Sequence, residues 1–153
     1  MVELYKPKVE DLWFREKLLS DADTMSYNHA WGGTVPFPKQ KWESWYDRWV
    51  RCHDHRHFYR YIQENGTFLG ESAYHFDEKR QIYLADVIVY APYRGRGYGR
   101  QALLCLCQSA RCSGVHTLFD DIATDNPSIA WFMKCGFTEV MRTGEYILVK
   151  KEL

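Results

Sequence analysis

The sequence has no excess of charge of either sign. Twenty Lys and Arg stand against twenty Asp and Glu, for a formal net charge of +0 at pH 7. That excludes a chain that holds nucleic acid through bulk electrostatics, which needs a basic patch or stripe. No apolar run reaches the length of a membrane span. The opening residues Met1-Val2-Glu3-Leu4-Tyr5 lack the pattern of a secretion signal. The expectation is a cytoplasmic protein with neither a nucleic-acid nor a membrane partner. Repeats, low-complexity stretches and Pro/Gly/Ser-rich linkers are missing too, so the 153 residues read as a single domain, 1–153, large enough for a real core. The five cysteines (52, 105, 107, 112 and 135) are odd in number and have no paired framework, which reads as reduced thiols. His53-x-His55-x-His57 alternates as metal ligands can, but no distant Cys/His pair matches it, and no metal is expected.

Hydrophobic periodicity gives the element order. Residues 2–6 read as a strand and 9–20 have helical spacing. Residues 21–37 are irregular, broken by Gly32-Gly33 and Pro36-Phe37-Pro38. In 38–51, Trp42, Trp45, Tyr46 and Trp49 fall at i, i+3, i+4 and i+7, one face of a helix that reads as core rather than pocket. Strands follow at 57–62, 67–76 and 82–90, the first two joined by an Asn65-Gly66 hairpin turn. A helix at 97–113, a strand at 115–123, a short helix at 127–135 and strands at 137–142 and 145–151 complete the chain. The order β-α-α-β-β-β-α-β-α-β-β is an α/β fold, a mixed and largely antiparallel central sheet with helices on both faces.

Glycine is sparse, ten in all, yet three fall within Arg94-Gly95-Arg96-Gly97-Tyr98-Gly99. Strand, glycine-rich turn, helix is the layout that offers backbone N–H groups to a phosphate. The glycines allow a tight turn and close approach, and the arginines supply charge. The turn is neither a Walker A loop nor the dinucleotide fingerprint, because only Tyr98 separates Gly97 from Gly99.

The spacing Arg94-x-x-Gly97-x-Gly99 resembles the acetyl-CoA loop of the GNAT superfamily of N-acyltransferases, Arg/Gln-x-x-Gly-x-Gly/Ala after a central strand. A second stretch, Asp125-Asn126-Pro127-Ser128 through Cys135-Gly136-Phe137, resembles that family's later helix, which starts at an Asn and ends in Gly-Phe. The resemblance covers roughly residues 56–153. It implies a GNAT-like fold, acetyl-CoA as co-substrate, and acetyl transfer to a primary amine by direct attack on the thioester. It also implies that pantetheine pairs with the backbone of Val87, Ile88, Val89 and Tyr90, in a cleft between splayed parallel strands at 82–90 and 115–123. The pyrophosphate would sit on the amides of Gly95, Arg96, Gly97, Tyr98, Gly99 and Arg100, with Arg94 beside it. Counting back from Gly136 puts Asp125 in the family's Asn slot and Ser128 in its small-residue slot, whereas a one-residue shift restores Asn126. Both registers stay open. A homodimer is a family-level expectation.

Asp86 is an acid in an apolar strand, where an unpartnered charge is costly. It is the leading candidate for general base or ammonium-holding carboxylate, with Glu71 on the preceding strand second. Structural ion pairs are the competing reading of both. Asp120 and Asp121 end the next strand; one facing the cleft is an open reading, and a solvated strand end is the favoured one. Tyr27, His29 and Trp31 crowd the irregular segment and are candidates for contact with an amine. The family's general-acid Tyr slot holds Phe132, which cannot donate a proton; Phe132→Tyr is therefore expected to be tolerated. The acceptor reads as a small molecule. The rival reading is a non-catalytic acyl-CoA-binding sensor on the same scaffold.

Overall fold

A computed structural model describes residues 1–52 and 54–153. His53, the first of the three alternating histidines, lies outside the described residues.

The strands are β1 (Glu3–Tyr5), β2 (His57–Glu64), β3 (Thr67–Asp77), β4 (Ile82–Val89), β5 (Thr117–Ala123), β6 (Thr138–Arg142) and β7 (Tyr146–Glu152). The α-helices are α1 (Trp13–Ser20), α2 (Trp42–Tyr46), α3 (Tyr98–Cys112) and α4 (Ile129–Lys134). One seven-stranded sheet runs β1-β2-β3-β4-β5-β7-β6. Every neighbouring pair is antiparallel except β4 and β5. Mixed α/β architecture and element order are as the sequence predicts. The irregular 21–37 segment is more ordered than its breakers suggest. Thr24–Trp31 winds as a 3-10 helix and stops at Gly32, whose φ of 106° only glycine adopts easily.

Each sheet face buries its own cluster. On one face Leu103, Leu106 and Ala110 of α3 and Phe132 of α4 meet Tyr74, Ala85, Leu118 and Ile147. On the other, Phe14 and Leu18 of α1 and Trp42 and Tyr46 of α2 meet Tyr59, Tyr61, Ala73 and Ile88. Residues on one face recur every second position along a strand. Ala73, Asp86 and Tyr59 therefore share the α1/α2 side, since Ala73 pairs with both of the others. The tryptophan stripe is split: Trp42 and Tyr46 are core, while Trp45 and Trp49 are only partly buried. A π-helical turn over Asp47–Arg51 widens the helix just where Trp49 sits. All five cysteines are free. Among the described residues, no helix is long and apolar enough to cross a membrane, and no group of three or more His, Cys, Asp or Glu is placed to hold a metal ion.

Candidate active site

The site begins with a failure of pairing. β4 and β5 are registered only at Tyr83↔Leu118 and Leu84↔Phe119. Each is then held on its outer edge by an antiparallel partner, β4 by β3 and β5 by β7, so the two diverge and leave a wedge. Asp86 and Asp120 stand where the wedge opens. On the α1/α2 side this wedge continues into a cavity of about 320 Å³. Tyr27, Trp31, Trp45, Trp49, Tyr59 and His75 form its aromatic walls. Arg15, Glu71, Asp86, Asp120 and Asp121 bring charge to it.

Glu71 is 2% exposed and fully engaged. Arg15 Nη1 donates to both of its carboxylate oxygens at 2.7 Å, and the Tyr59 hydroxyl donates to Oε2. The Arg15 guanidinium lies over the Trp45 ring at 4.3 Å and near Phe37 and Tyr59. Burial opposes its charge, but Glu71 and Tyr59 outweigh burial and hold it firmly protonated. The expectation that Glu71 serves as a base is therefore corrected: its lone pairs are committed to a buried ion pair that braces the cavity floor. Arg15 was not singled out in the sequence, because a lone Arg in a helical stretch carries no sign of the strand it will meet.

Asp86 differs. Its side chain is exposed where it lines the cavity. Desolvation foremost, and then the Glu71 charge, push its pKa up to about 7, with Arg15 pulling the other way. Asp120 is pushed well above the usual carboxylate range by burial first and by Asp86 next. Its side chain is half-buried. Asp121 accepts a bidentate pair from Arg80, at 3.1 and 2.8 Å. The same charges, after burial itself, raise the Tyr27 phenol far above its ordinary value.

Tyr27 and Trp31 line the cavity, joined by Asn28. His29 does not. Its Nε2 lies 3.0 Å from Asp125 Oδ1, tying the 3-10 segment to the loop after β5. The expectation of His29 as a substrate contact is corrected to a strap.

Beyond β4, Gly95 and Gly97 have φ of 78° and 83°, the left-handed values that make the turn a glycine turn. The first helical bond of α3 runs from Gln101 N–H to the Gly97 carbonyl at 3.2 Å. The amides of Tyr98, Gly99 and Arg100 therefore precede the ladder and project from the helix N-terminus. Gly99 is small for another reason: a Cβ there would lie 3.3 Å from the Trp131 ring. Arg96 and Arg100 are exposed at the turn. Arg94 is engaged elsewhere. Its Nε donates to Val89 O (3.1 Å), Nη1 to Asp23 O (3.1 Å) and Nη2 to Thr24 O (2.6 Å). The expectation of a phosphate-facing Arg94 is corrected: three carbonyls hold its guanidinium against the 3-10 segment.

The stretch expected to pair with pantetheine is partly taken up by β3. Tyr90 N–H is bonded to Leu69 O at 2.8 Å. Alternation along the antiparallel β3–β4 ladder then points the Ile88 backbone to β3 as well. Only Val87 and Val89 turn their amides to the wedge, so Ile88 and Tyr90 are corrected to ladder positions.

Asn126 Oδ1 accepts from Ser128 N–H at 2.9 Å, a local turn that launches α4. Phe132 is 3% exposed and packs on Trp131 and Phe137 inside the core, not on the wedge.

The family model described as the acetyltransferase (GNAT) family matches residues 17–137. Over 62 residues the chain is 42% identical to YycN of Bacillus subtilis (strain 168), named as an uncharacterized N-acetyltransferase; these are 40% of this chain and 40% of that protein's length. Among solved structures, a spermidine N-acetyltransferase of Vibrio cholerae in complex with CoA and spermine superposes with a TM-score of 0.80 at 18% identity, covering 99% of this chain and 95% of that one. A protein of Salmonella typhimurium solved with its cofactor acetyl-CoA gives 0.74 at 21%, covering 100% and 94%. A ribosomal-protein-alanine N-acetyltransferase of Brucella melitensis gives 0.77 at 22%, covering 100% and 99%. At these identities the structural likeness is one of fold.

Proposed function

The chain belongs to the GNAT acetyltransferase family, and from that premise we propose that it is a single-domain enzyme moving an acetyl group from acetyl-CoA to a primary amine of a small molecule. The observation that carries the acceptor class is the cavity: carboxylates and aromatic faces gathered at the opening of the β4–β5 wedge. Negative charge and π faces both favour an ammonium. A neighbour in fold was solved with spermine, itself a small polyamine.

The residues present fit acetyl-CoA. Amides of Gly95 to Arg100 form the cradle for its pyrophosphate, with Arg96 and Arg100 supplying charge. Val87 and Val89 offer backbone to the pantetheine arm along the wedge, and donors there suit a thioester carbonyl as it gains negative charge. Asn126 and Ser128 make the turn that launches α4. Asp86 takes a proton from the incoming ammonium. The freed nitrogen lone pair attacks the thioester carbon, the N–C bond forms, the C–S bond breaks and the electron pair leaves with sulfur, while the nitrogen, now positively charged, gives up its second proton to the departing thiolate or to solvent and becomes a neutral amide. A carboxylate with a pKa of about 7 is matched to that task near neutral pH. A thiol pKa of about 8.5 lets the thiolate leave without a protein acid, consistent with Phe132 in the core. Holding amine and thioester together supplies much of the remaining rate.

The test is a panel of polyamines, amino acids, aminoglycosides and peptide N-termini, incubated with acetyl-CoA and read by mass for an N-acetyl product and by thiol assay for CoA. A stoichiometric acetylated small amine is the expected result. Tight CoA binding with no acetylated product from any class would favour the sensor reading instead.

A further inference from the structure

A second cavity lies away from the wedge. It is a groove of about 740 Å³ between the stretch after β1 and α2, and it shares no lining residue with the catalytic cavity. α2 stands between the two: Trp42 and Tyr46 line the groove, and Trp45 lines the catalytic cavity. The groove's floor is fixed. Tyr46 Oη donates to Pro7 O at 2.7 Å, and Trp42 Nε1 donates to Phe37 O at 3.1 Å. Its rim is basic. Lys6, Lys8, Lys39 and Arg51 line it against Glu10 and Glu43, a local excess of cations in a chain whose net charge is +0. Arg51 is engaged already, donating to Glu43 at 2.9 Å and to Asp47. Among the described residues Lys6, Lys8 and Lys39 form no ion pair, and Glu10 is the one lining carboxylate without a salt bridge. The free ammoniums stand on two walls. Lys6 and Lys8 follow β1, whereas Lys39 opens the 3-10 turn Lys39–Lys41 before α2. Like charges on facing walls repel in the empty groove, and a polyanion between them turns that repulsion into attraction.

We propose that this groove is a second ligand site, for a small molecule carrying linked phosphates, and that it is occupied together with CoA. Lysine ammoniums are compact point charges that suit phosphate oxygens approached from several directions, with no planar fork to select a lone carboxylate. The volume falls within the range of small-molecule pockets. Val9, Trp42 and Tyr46 give the floor an apolar surface that can take an organic body attached to the phosphates. No residue of the glycine turn lines the groove, so filling the CoA cradle leaves it open. The proposal does not depend on the acetyl-transfer reading.

The test is equilibrium dialysis of the full chain against tripolyphosphate in magnesium-free buffer, with CoA saturating so that the glycine turn is already filled. Saturable binding is expected, weakening as salt is raised because the contacts are exposed charges. Lys6, Lys8, Lys39 and Glu10 are all exposed, so their variants should fold, and matched melting temperatures check this. Combining Lys6→Gln, Lys8→Gln and Lys39→Gln should weaken binding by roughly 10–100-fold, three exposed charge contacts at their usual worth. Glu10→Gln removes the opposing charge and should tighten it by about 2–5-fold. Gly97→Val, which spoils the CoA cradle, should bind tripolyphosphate as the wild type does. ATP dialysed in parallel separates the sources, and both results support the site: tighter binding than tripolyphosphate assigns a ligand with an organic body on the apolar floor, and binding no tighter assigns the phosphate chain alone. No binding with CoA present overturns the proposal, as does wild-type affinity in the triple lysine variant. Binding lost in Gly97→Val places the anion on the glycine turn and overturns it too.

Discussion

Arg94, at the start of the glycine turn, donates its Nη2 to the carbonyl of Thr24, 70 residues earlier in the chain, at 2.6 Å. Thr24 Oγ1 in turn accepts from Ala91 N–H at 3.0 Å. The two bonds lash the segment carrying Tyr27 and Trp31 to the strand end that feeds the turn. Arg94→Ala should therefore raise KM for the amine as well as for acetyl-CoA, and Arg94→Lys should rescue neither, because an ammonium cannot span three carbonyls in one plane. Steady-state kinetics with each substrate varied checks this; a change confined to acetyl-CoA would return Arg94 to the phosphate.

The two glycines of the turn separate binding from packing. Open space surrounds the Cβ position of Gly97, but its φ is 83°. Gly97→Val should lose CoA affinity strongly, with a strain cost of about 1–2 kcal/mol. Gly99→Val instead drives a side chain against Trp131 and Val89, so its larger effect should be on melting temperature. Calorimetric titration with CoA, alongside thermal melts of both variants, distinguishes the two; unchanged CoA affinity in Gly97→Val contradicts the cradle.

Glu71→Gln should be severely destabilising. It leaves the Arg15 guanidinium without its countercharge under Trp45 and Phe37. Breaking a buried pair of this kind costs about 3–5 kcal/mol, read as a lower urea midpoint. A variant that unfolds normally and loses only turnover would restore Glu71 to the chemistry.

Phe132→Tyr adds a hydroxyl to a ring that is 3% exposed and packed on Trp131 and Phe137. Contrary to what the motif slot suggests, the substitution should lower stability by roughly 1–3 kcal/mol and leave kcat without a gain. Thermal denaturation and kcat on the same preparation check it.

Much of this was legible in the sequence because local pattern carried it. The glycine turn, the strand before it and the helix after it are fixed by residues 82–113 alone, and Asp86 stood out as an acid in an apolar strand. Tyr27 and Trp31 announced themselves as aromatics in an irregular segment. What the sequence hid depends on partners far away. Arg94 reads as a phosphate ligand until Thr24 is seen beside it. Glu71 reads as a free acid until Arg15, 56 residues earlier, closes on it. His29 and Asp125 are 96 residues apart and meet only when the loop after β5 folds under the 3-10 segment. Ile88 and Tyr90 alternate with Val87 and Val89, and only the β3 register says which pair turns to the wedge. Trp45 and Trp49 line the cavity and are only partly buried, and Trp49 sits in a π turn that no periodicity count detects.

The central claim is that Asp86 takes the amine's proton at the opening of the wedge, and the pH dependence of Asp86→Asn tests it most directly. The folded-state pKa of about 7 lies above the ordinary 3.8, so the native state holds more protons between those values and Asp86 costs stability as pH rises through that window. Asp86→Asn should therefore melt higher than wild type at pH 8, by about 2–4 °C per kcal/mol relieved, and the advantage should vanish below pH 4. Over the same series, wild-type kcat/KM for the amine should rise through a pKa near 7, and the variant should lose roughly 10²–10⁴-fold along with that limb while still binding CoA. An Asp86→Asn enzyme with wild-type kcat/KM and an unchanged pH profile would contradict the account.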